Sequence, residues 1–239
     1  SLCVIYKRRS QSKVCIEAVV KECYDYLDVC PNEQIKYDLA HTLKDVCEGK
    51  IYVEAISARL HLILALILEK KDDISGACDM IQDVHVETYG TISKLEKAEY
   101  ILQQMRLNLL RKDYIRTMIQ SRKMNRKTIE SDDSFDKVKI SFYEMMAEYY
   151  TYEKNTWEIS LCYYKIYDTN LTKLDNDNKM KILETSVIYL LLSKYNNHSS
   201  DMMYRIKKLK DIENNILCND IINLFTTNEI IQNENEKKL

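Results

Sequence analysis

Three glycines and a single proline in 239 residues leave this chain few means of turning tightly. Sandwiches and barrels need a turn about every ten residues, and phosphate-cradling loops need glycine where the backbone meets the ligand. The scarcity selects long helices with few breaks. Apolar residues make up 46% and charged residues 30%, well away from the composition of chains that stay disordered, so those helices must share a core. Lys plus Arg number 35 against 37 Asp plus Glu, a net charge of −2 that excludes a polyelectrolyte.

From Ser12 to Cys30 apolar residues recur at Ile16, Val19, Val20, Cys23, Tyr24 and Leu27, the spacing of an amphipathic helix, and Pro31 stops it. A helix from Glu33 to Glu48 follows, with Gly49 placed to end it in a left-handed cap. Ile51–Lys70 is apolar on both faces, which predicts a helix covered on two sides. Further helices are predicted at Asp73–Val84, Ile92–Arg111, Asp113–Met124, Ser134–Glu153, Thr156–Tyr167 and Lys179–Lys194, with shorter ones after His198. "DVHVETYG", residues 83–90, alternates β-branched residues but has no partner run, so it is expected as an extended inter-helix loop.

The short helices align in a weak repeat. Ile74, Tyr114 and Trp157 share one offset, and a smaller residue follows three positions later at Ala77, Thr117 and Ser160. Steps of 40 and 43 residues between anchors fit one helix pair per unit. Small residues there permit close approach of paired helices. A pair cannot bury its apolar face alone, so stacked pairs with a continuous core are expected.

Eight cysteines fall inside apolar helical patterns of a long chain, and the expectation is reduced, buried thiols in an intracellular protein. Cys15 and Cys23, eight residues apart, share a helix face. The longest uninterrupted apolar run, Leu62 to Leu68, is far short of the ~20 residues that cross a bilayer, so no membrane span is expected. "SLCVIYKRR" at the start reads as a helix cut midway and "NENEKKL" at the end as a polar tail, so the chain reads as a fragment.

Catalytic signatures are missing: no Cys-x-x-Cys, no His-Glu-x-x-His, no Walker loop and no Gly-x-Ser-x-Gly elbow. His41, His61, His85 and His198 stand apart from one another, and structural or surface roles are expected for them. Asp72 with Asp73 and Asp132 with Asp133 sit at predicted helix starts, where carboxylates cap amides. No cofactor, metal or small-molecule substrate is expected.

Between Arg106 and Lys127 lie eight bases, Arg106, Arg111, Lys112, Arg116, Arg122, Lys123, Arg126 and Lys127, against the single acid Asp113. Such a ridge would grip phosphates, but the overall charge balance and the acidic stretch Glu130, Asp132, Asp133 and Asp136 argue against nucleic acid as the main partner. A protein-facing ridge is the reading adopted, with Arg116, Arg122, Lys123 and Arg126 as candidate interaction residues. Tyr143, Tyr149, Tyr150, Tyr152, Tyr163, Tyr164 and Tyr167 crowd two consecutive helices around Trp157, which suits packing between helices or, alternatively, an interface.

Six segments carry a family resemblance: "KRRSQSK" at Lys7–Lys13, "EGKIYVEAISARL" at Glu48–Leu60, "VETYG" at Val86–Gly90, "EYILQQMRLNLLRKDYIRTMI" at Glu99–Ile119, "YYKIYDT" at Tyr163–Thr169 and "LFTTNEI" at Leu224–Ile230. Together they resemble the 26S proteasome non-ATPase regulatory subunit 12 family, PCI-containing subunits of the regulatory-particle lid. The resemblance implies an all-α, right-handed solenoid of antiparallel helix pairs over residues 1–230, with 231–239 as tail and the family's C-terminal winged helix absent. It implies a non-catalytic scaffold in cytoplasm and nucleus. Its partners would be other lid and regulatory-particle subunits, and it would help to hold the deubiquitinating subunit in place. The signalosome's PCI subunits and a nucleic-acid-binding helical repeat using residues 106–127 are the alternatives.

Overall fold

The computed structural model describes residues 11–213 and 215–227, and every regular element among them is helical. The amino-terminal "SLCVIYKRR" and the tail 231–239 lie outside the described residues. Two compact units divide between Asn125 and Arg126. The first holds α1 (Lys13–Asp25), α2 (Glu33–Cys47), α3 (Glu54–Lys70), α4 (Ile74–Ile81), α5 (Lys94–Leu110) and α6 (Tyr114–Lys123). The second holds α7 (Arg126–Ser131), α8 (Asp136–Tyr152), α9 (Thr156–Tyr167), α10 (Asn176–Leu191), α11 (Asn197–Lys207), α12 (Lys210–Glu213) and α13 (Ile216–Thr226).

Packing within each unit follows chain order: α2 on α3, α3 on α4 and α5 on α6, then α8 on α9 and α9 on α10. The first core joins Ile16 and Val20 of α1 to Leu43 and Val46 of α2 and Leu60 and Leu64 of α3. A second core gathers Tyr167, Leu183, Val187, Leu190, Met203, Ile206 and Ile222. Ile51–Lys70 is long and apolar enough to cross a membrane by length and composition. A count of uninterrupted apolar residues misses this, because Arg59 and His61 interrupt the run without lowering its average much. Here the helix is covered on two sides by α2 and α4, so its apolarity is used in burial between helices.

Two ion pairs fix α5 beside α3. Arg59 donates Nε to Glu96 Oε1 at 2.6 Å and Nη2 to Oε2 at 3.0 Å. Toward the other end Arg106 grips Glu69 in the same two-pronged way, with Nη2 to Oε2 at 2.7 Å. Both pairs join residues 37 apart, so α3 and α5 run side by side in the same direction, one repeat apart.

The turns into α4, α6 and α9 are built alike. Asp72, Lys112 and Lys154 adopt left-handed φ values of 64°, 61° and 58°. The next residue's N–H reaches back to the preceding helix, Asp73 to Leu68 O at 3.0 Å, Asp113 to Asn108 O at 2.8 Å and Asn155 to Tyr150 O at 3.0 Å, a Schellman closure. Those same residues then cap the following helix, accepting from Gly76 N, Arg116 N and Glu158 N. Side chains of Asp and Asn thus do locally what glycine-rich turns do elsewhere. The turns are 40 and 42 residues apart. Thr156, not Trp157, therefore stands where Ile74 and Tyr114 stand, and the alignment by bulky anchors is one residue out in its third copy.

Ala77, Thr117 and Ser160 are fully buried, as close helix approach requires. Ser160 Oγ donates to Ser186 O at 2.8 Å and Ser186 Oγ donates to Ser160 O at 3.0 Å, tying α9 to α10 through two buried hydroxyls. Gly49 has φ 72°, the left-handed cap expected of it. "DVHVETYG" forms a single 3-10 turn at Val86–Thr88, its alternation explained by burial of Val84 and Val86. Gln104 of α5 donates Nε2 to Ile81 O at 2.6 Å and Val84 O at 3.0 Å, tying α5 to carbonyls of the segment after α4. Cys47, Cys78, Cys162 and Cys218 are buried, whereas Cys15 is exposed, which corrects the uniform expectation. Burial pushes the Cys47 thiol up to about 11 and the Cys162 thiol up to about 12.

Candidate functional site

His61, His41, Asp73 and Asp132 take structural positions. Burial holds the His61 imidazole below its ordinary range, and its Nδ1 lies 2.7 Å from Ser57 O. His41 faces Asp45 at 3.9 Å. Asp73 caps α4, and Asp132 accepts from Ser134 N at 2.9 Å at the turn before α8. Among the described residues no group of three or more His, Cys, Asp or Glu is gathered as a metal site would need. A cleft of about 630 Å³ bordered by Lys44, Glu48, Glu54, His61 and Asp79 carries both signs of charge on its wall, without a nucleophile joined to a base.

The basic ridge changes most on folding. Arg106 is taken by Glu69, and Arg111 by Asp79 at 2.9 Å and Asp113 at 3.2 Å. Arg116 lies 3.4 Å from Asp113 and donates to Gln82. Lys123 reaches Glu87 at 3.2 Å and donates to His85 Nδ1 at 3.0 Å. Glu69 of α3, Asp79 of α4 and Glu87 of the loop after α4 join Asp113 in neutralising four of these bases, so the eight-to-one excess along the chain is much reduced in space. Lys112, Arg122 and Lys127 make no ion pair among the described residues. Of the four candidates, Arg116, Arg122 and Lys123 belong to the first unit; Arg126, which opens the second, lies over the Phe142 ring at 5.7 Å.

The tyrosine cluster is chiefly packing. Tyr143, Tyr149 and Tyr167 are buried, Tyr150, Tyr163 and Tyr164 half-buried, and Tyr152 exposed. Tyr167 donates to Asp211 at 2.5 Å, Lys179 pairs with the same carboxylate, and α9, α10 and α12 are thereby joined.

On α6, Thr117, Gln120 and Ser121 face inward, while Ile115 and Ile119 are 77% and 51% exposed. No local sequence motif singles out these two residues. The available signal was the repeat itself, which sets them against Ser75 and Asp79 of α4.

Residues 1–175 match the family described as PSMD12/CSN4, N-terminal. Over 234 residues the chain is 38% identical to the 26S proteasome non-ATPase regulatory subunit 12 of Dictyostelium discoideum, covering 97% of the chain and 52% of the relative. It is 31% identical over 248 residues to the subunit 12 homolog A of Arabidopsis thaliana, covering 95% and 56% respectively. To the 26S proteasome regulatory subunit RPN5 of Saccharomyces cerevisiae it is 28% identical over 233 residues, covering 97% and 52%. The chain spans about half the length of the curated relatives it matches.

Proposed function

The chain belongs to the PSMD12/CSN4 N-terminal family, and from that premise we propose that it is the helical-repeat portion of a 26S proteasome regulatory-particle lid subunit. Its work is binding: a non-catalytic scaffold that holds neighbouring lid and regulatory-particle subunits in place for ubiquitin-dependent degradation, in cytoplasm and nucleus. The observation that carries this reading is 38% identity to a named proteasome subunit along 97% of the chain. The helix pairs of residues 1–230 stack as a right-handed solenoid. Support for stacking comes from the parallel α3 and α5, clamped at both ends by pairs of the same 37-residue offset.

A signalosome scaffold is the second reading, favoured by the family description, which couples PSMD12 with CSN4. The proteasome names of the relatives at 38%, 31% and 28% identity favour the first. The test is affinity purification of the full-length protein with identification of the chains that accompany it. Lid subunits are expected; signalosome subunits in their place, or neither, overturn the assignment. Reversing Arg116, Arg122, Lys123 and Arg126 to Glu together should leave helicity intact and reduce lid recovery, and unchanged recovery would remove these residues from the interface.

A further inference from the structure

The outward face of α6 departs from the pattern of its own repeat. Matching the left-handed turns at Asp72 and Lys112 places Ser75, Asp79 and Gln82 of α4 where α6 carries Ile115, Ile119 and Arg122. Ser75 and Asp79 are solvated polar residues, so the helix pair does not need apolar side chains at these positions. Ile115 and Ile119 are nonetheless 77% and 51% exposed. Four residues apart, they lie one above the other on a single side of the helix, with Arg122 a further turn along. Arg122 and Lys112 make no ion pair among the described residues, and both are exposed. The result is two adjacent aliphatic side chains flanked by unneutralised cations.

We infer that this face docks an acidic amphipathic segment of a neighbouring protein subunit, which covers Ile115 and Ile119 with apolar residues and meets Arg122 and Lys112 with carboxylates. The identity of that neighbour as a proteasome subunit rests on the reading above; the chemistry of the segment does not. Charge complementarity selects the occupant. A second copy docking through the same face would bring Arg122 and Lys112 against themselves, with the like-charge cost that complementary interfaces avoid. A lipid surface would receive only two aliphatic side chains from a ten-residue helix, too little for an interfacial helix to anchor by. Two adjacent aliphatics with a neighbouring arginine match the common arrangement in which a few central residues carry the binding and charges around them set specificity.

The experiment places photoreactive benzoylphenylalanine at position 119 of the full-length protein, purifies the assembly, irradiates it and sequences the adduct. In parallel, Ile115→Glu with Ile119→Glu is made, and separately Arg122→Glu. The expected adduct lies on another chain, within a segment rich in Asp and Glu and containing apolar residues at helical spacing. Affinity for that chain should fall about tenfold or more in the double variant, as loss of two apolar anchors implies, while the variant's circular dichroism matches wild type. Arg122→Glu should weaken binding and flatten its dependence on salt. An adduct confined to this chain, an adduct on a neutral or basic segment, no adduct, or undiminished binding by the double variant overturns the inference. So does binding of the face to vesicles containing phosphatidylserine, or to RNA, without a protein adduct. If the captured acidic chain is not a proteasome subunit, the lid assignment fails while the inference stands; if lid subunits accompany the protein but none is captured, the reverse holds.

Discussion

Arg106 shows at the residue scale why charge counted along a chain misleads. The ridge that follows it in sequence is basic, yet its guanidinium is neutralised by Glu69, 37 residues earlier, and no local window contains that partner. The hydrogen bond from Arg106 holds the Glu69 carboxyl below the usual carboxylate range. A carboxylate depressed in the folded state contributes stability that is complete above its unfolded value, about 4.3, and is lost as pH falls through the lower folded value. Arg106→Met keeps the aliphatic stem and removes the charge. It should cost about 1–2 kcal/mol near neutral pH, since the pair is bidentate and mostly screened from water. The difference from wild type should hold steady above about pH 5 and shrink below pH 4. Urea unfolding at a series of pH values measures this; a difference that persists unchanged into acid would assign the cost to lost packing. The pairing of Arg59 with Glu96 was equally hidden. The capping roles of Asp73 and Asp132 were legible, because a cap is a contact between residues two or three apart.

Elements were legible to the extent that their signals are local. Thr156–Tyr167 has its predicted bounds, and the other long helices differ from expectation by a few residues at their ends, where 3-10 turns and caps take over. The six-residue α7 was missed, being too short to display a period. The repeat was visible in outline, but its third copy was misregistered because bulky residues were aligned in place of the turn that defines the unit. That turn supplies a prediction. Lys112 and Lys154 hold φ of 61° and 58°, where a Cβ crowds the following carbonyl. Lys112→Gly and Lys154→Gly should each stabilise the protein by about 0.5–1 kcal/mol, the relief of that crowding exceeding the added entropy of the unfolded chain. Gly49 already occupies such a position, and Gly49→Ala should destabilise by a similar amount. Thermal unfolding of the single variants checks the signs, and destabilisation by both lysine replacements would mean that their side chains contribute more than the strain they impose.

For the whole molecule, what matters is whether stability is one quantity or a sum of neighbour terms. A stacked array makes each helix pair depend on the pairs beside it, so damage should spread only as far as the contacts do. A single-core globule loses protection everywhere at once, because its most protected amides exchange only through global opening. Ser160 is the place to separate these behaviours: it is fully buried, and its hydroxyl exchanges hydrogen bonds with Ser186 across α9 and α10. Ser160→Leu inserts volume where none is free and removes the hydroxyl that donates to Ser186 O, a loss of about 3 kcal/mol or more. Native-state hydrogen exchange should then show faster exchange in Asp136–Tyr152, Thr156–Tyr167 and Asn176–Leu191, the helices that touch the lesion. Protection in Glu54–Lys70 and Lys94–Leu110, which the Glu69–Arg106 and Arg59–Glu96 pairs hold together, should stay at its wild-type level. Ala77→Leu, at a fully buried small residue of α4, should produce the opposite map. An equal drop in protection across both sets of helices, from either variant, would mean one cooperative core and would remove the physical basis for reading this chain as a repeat scaffold.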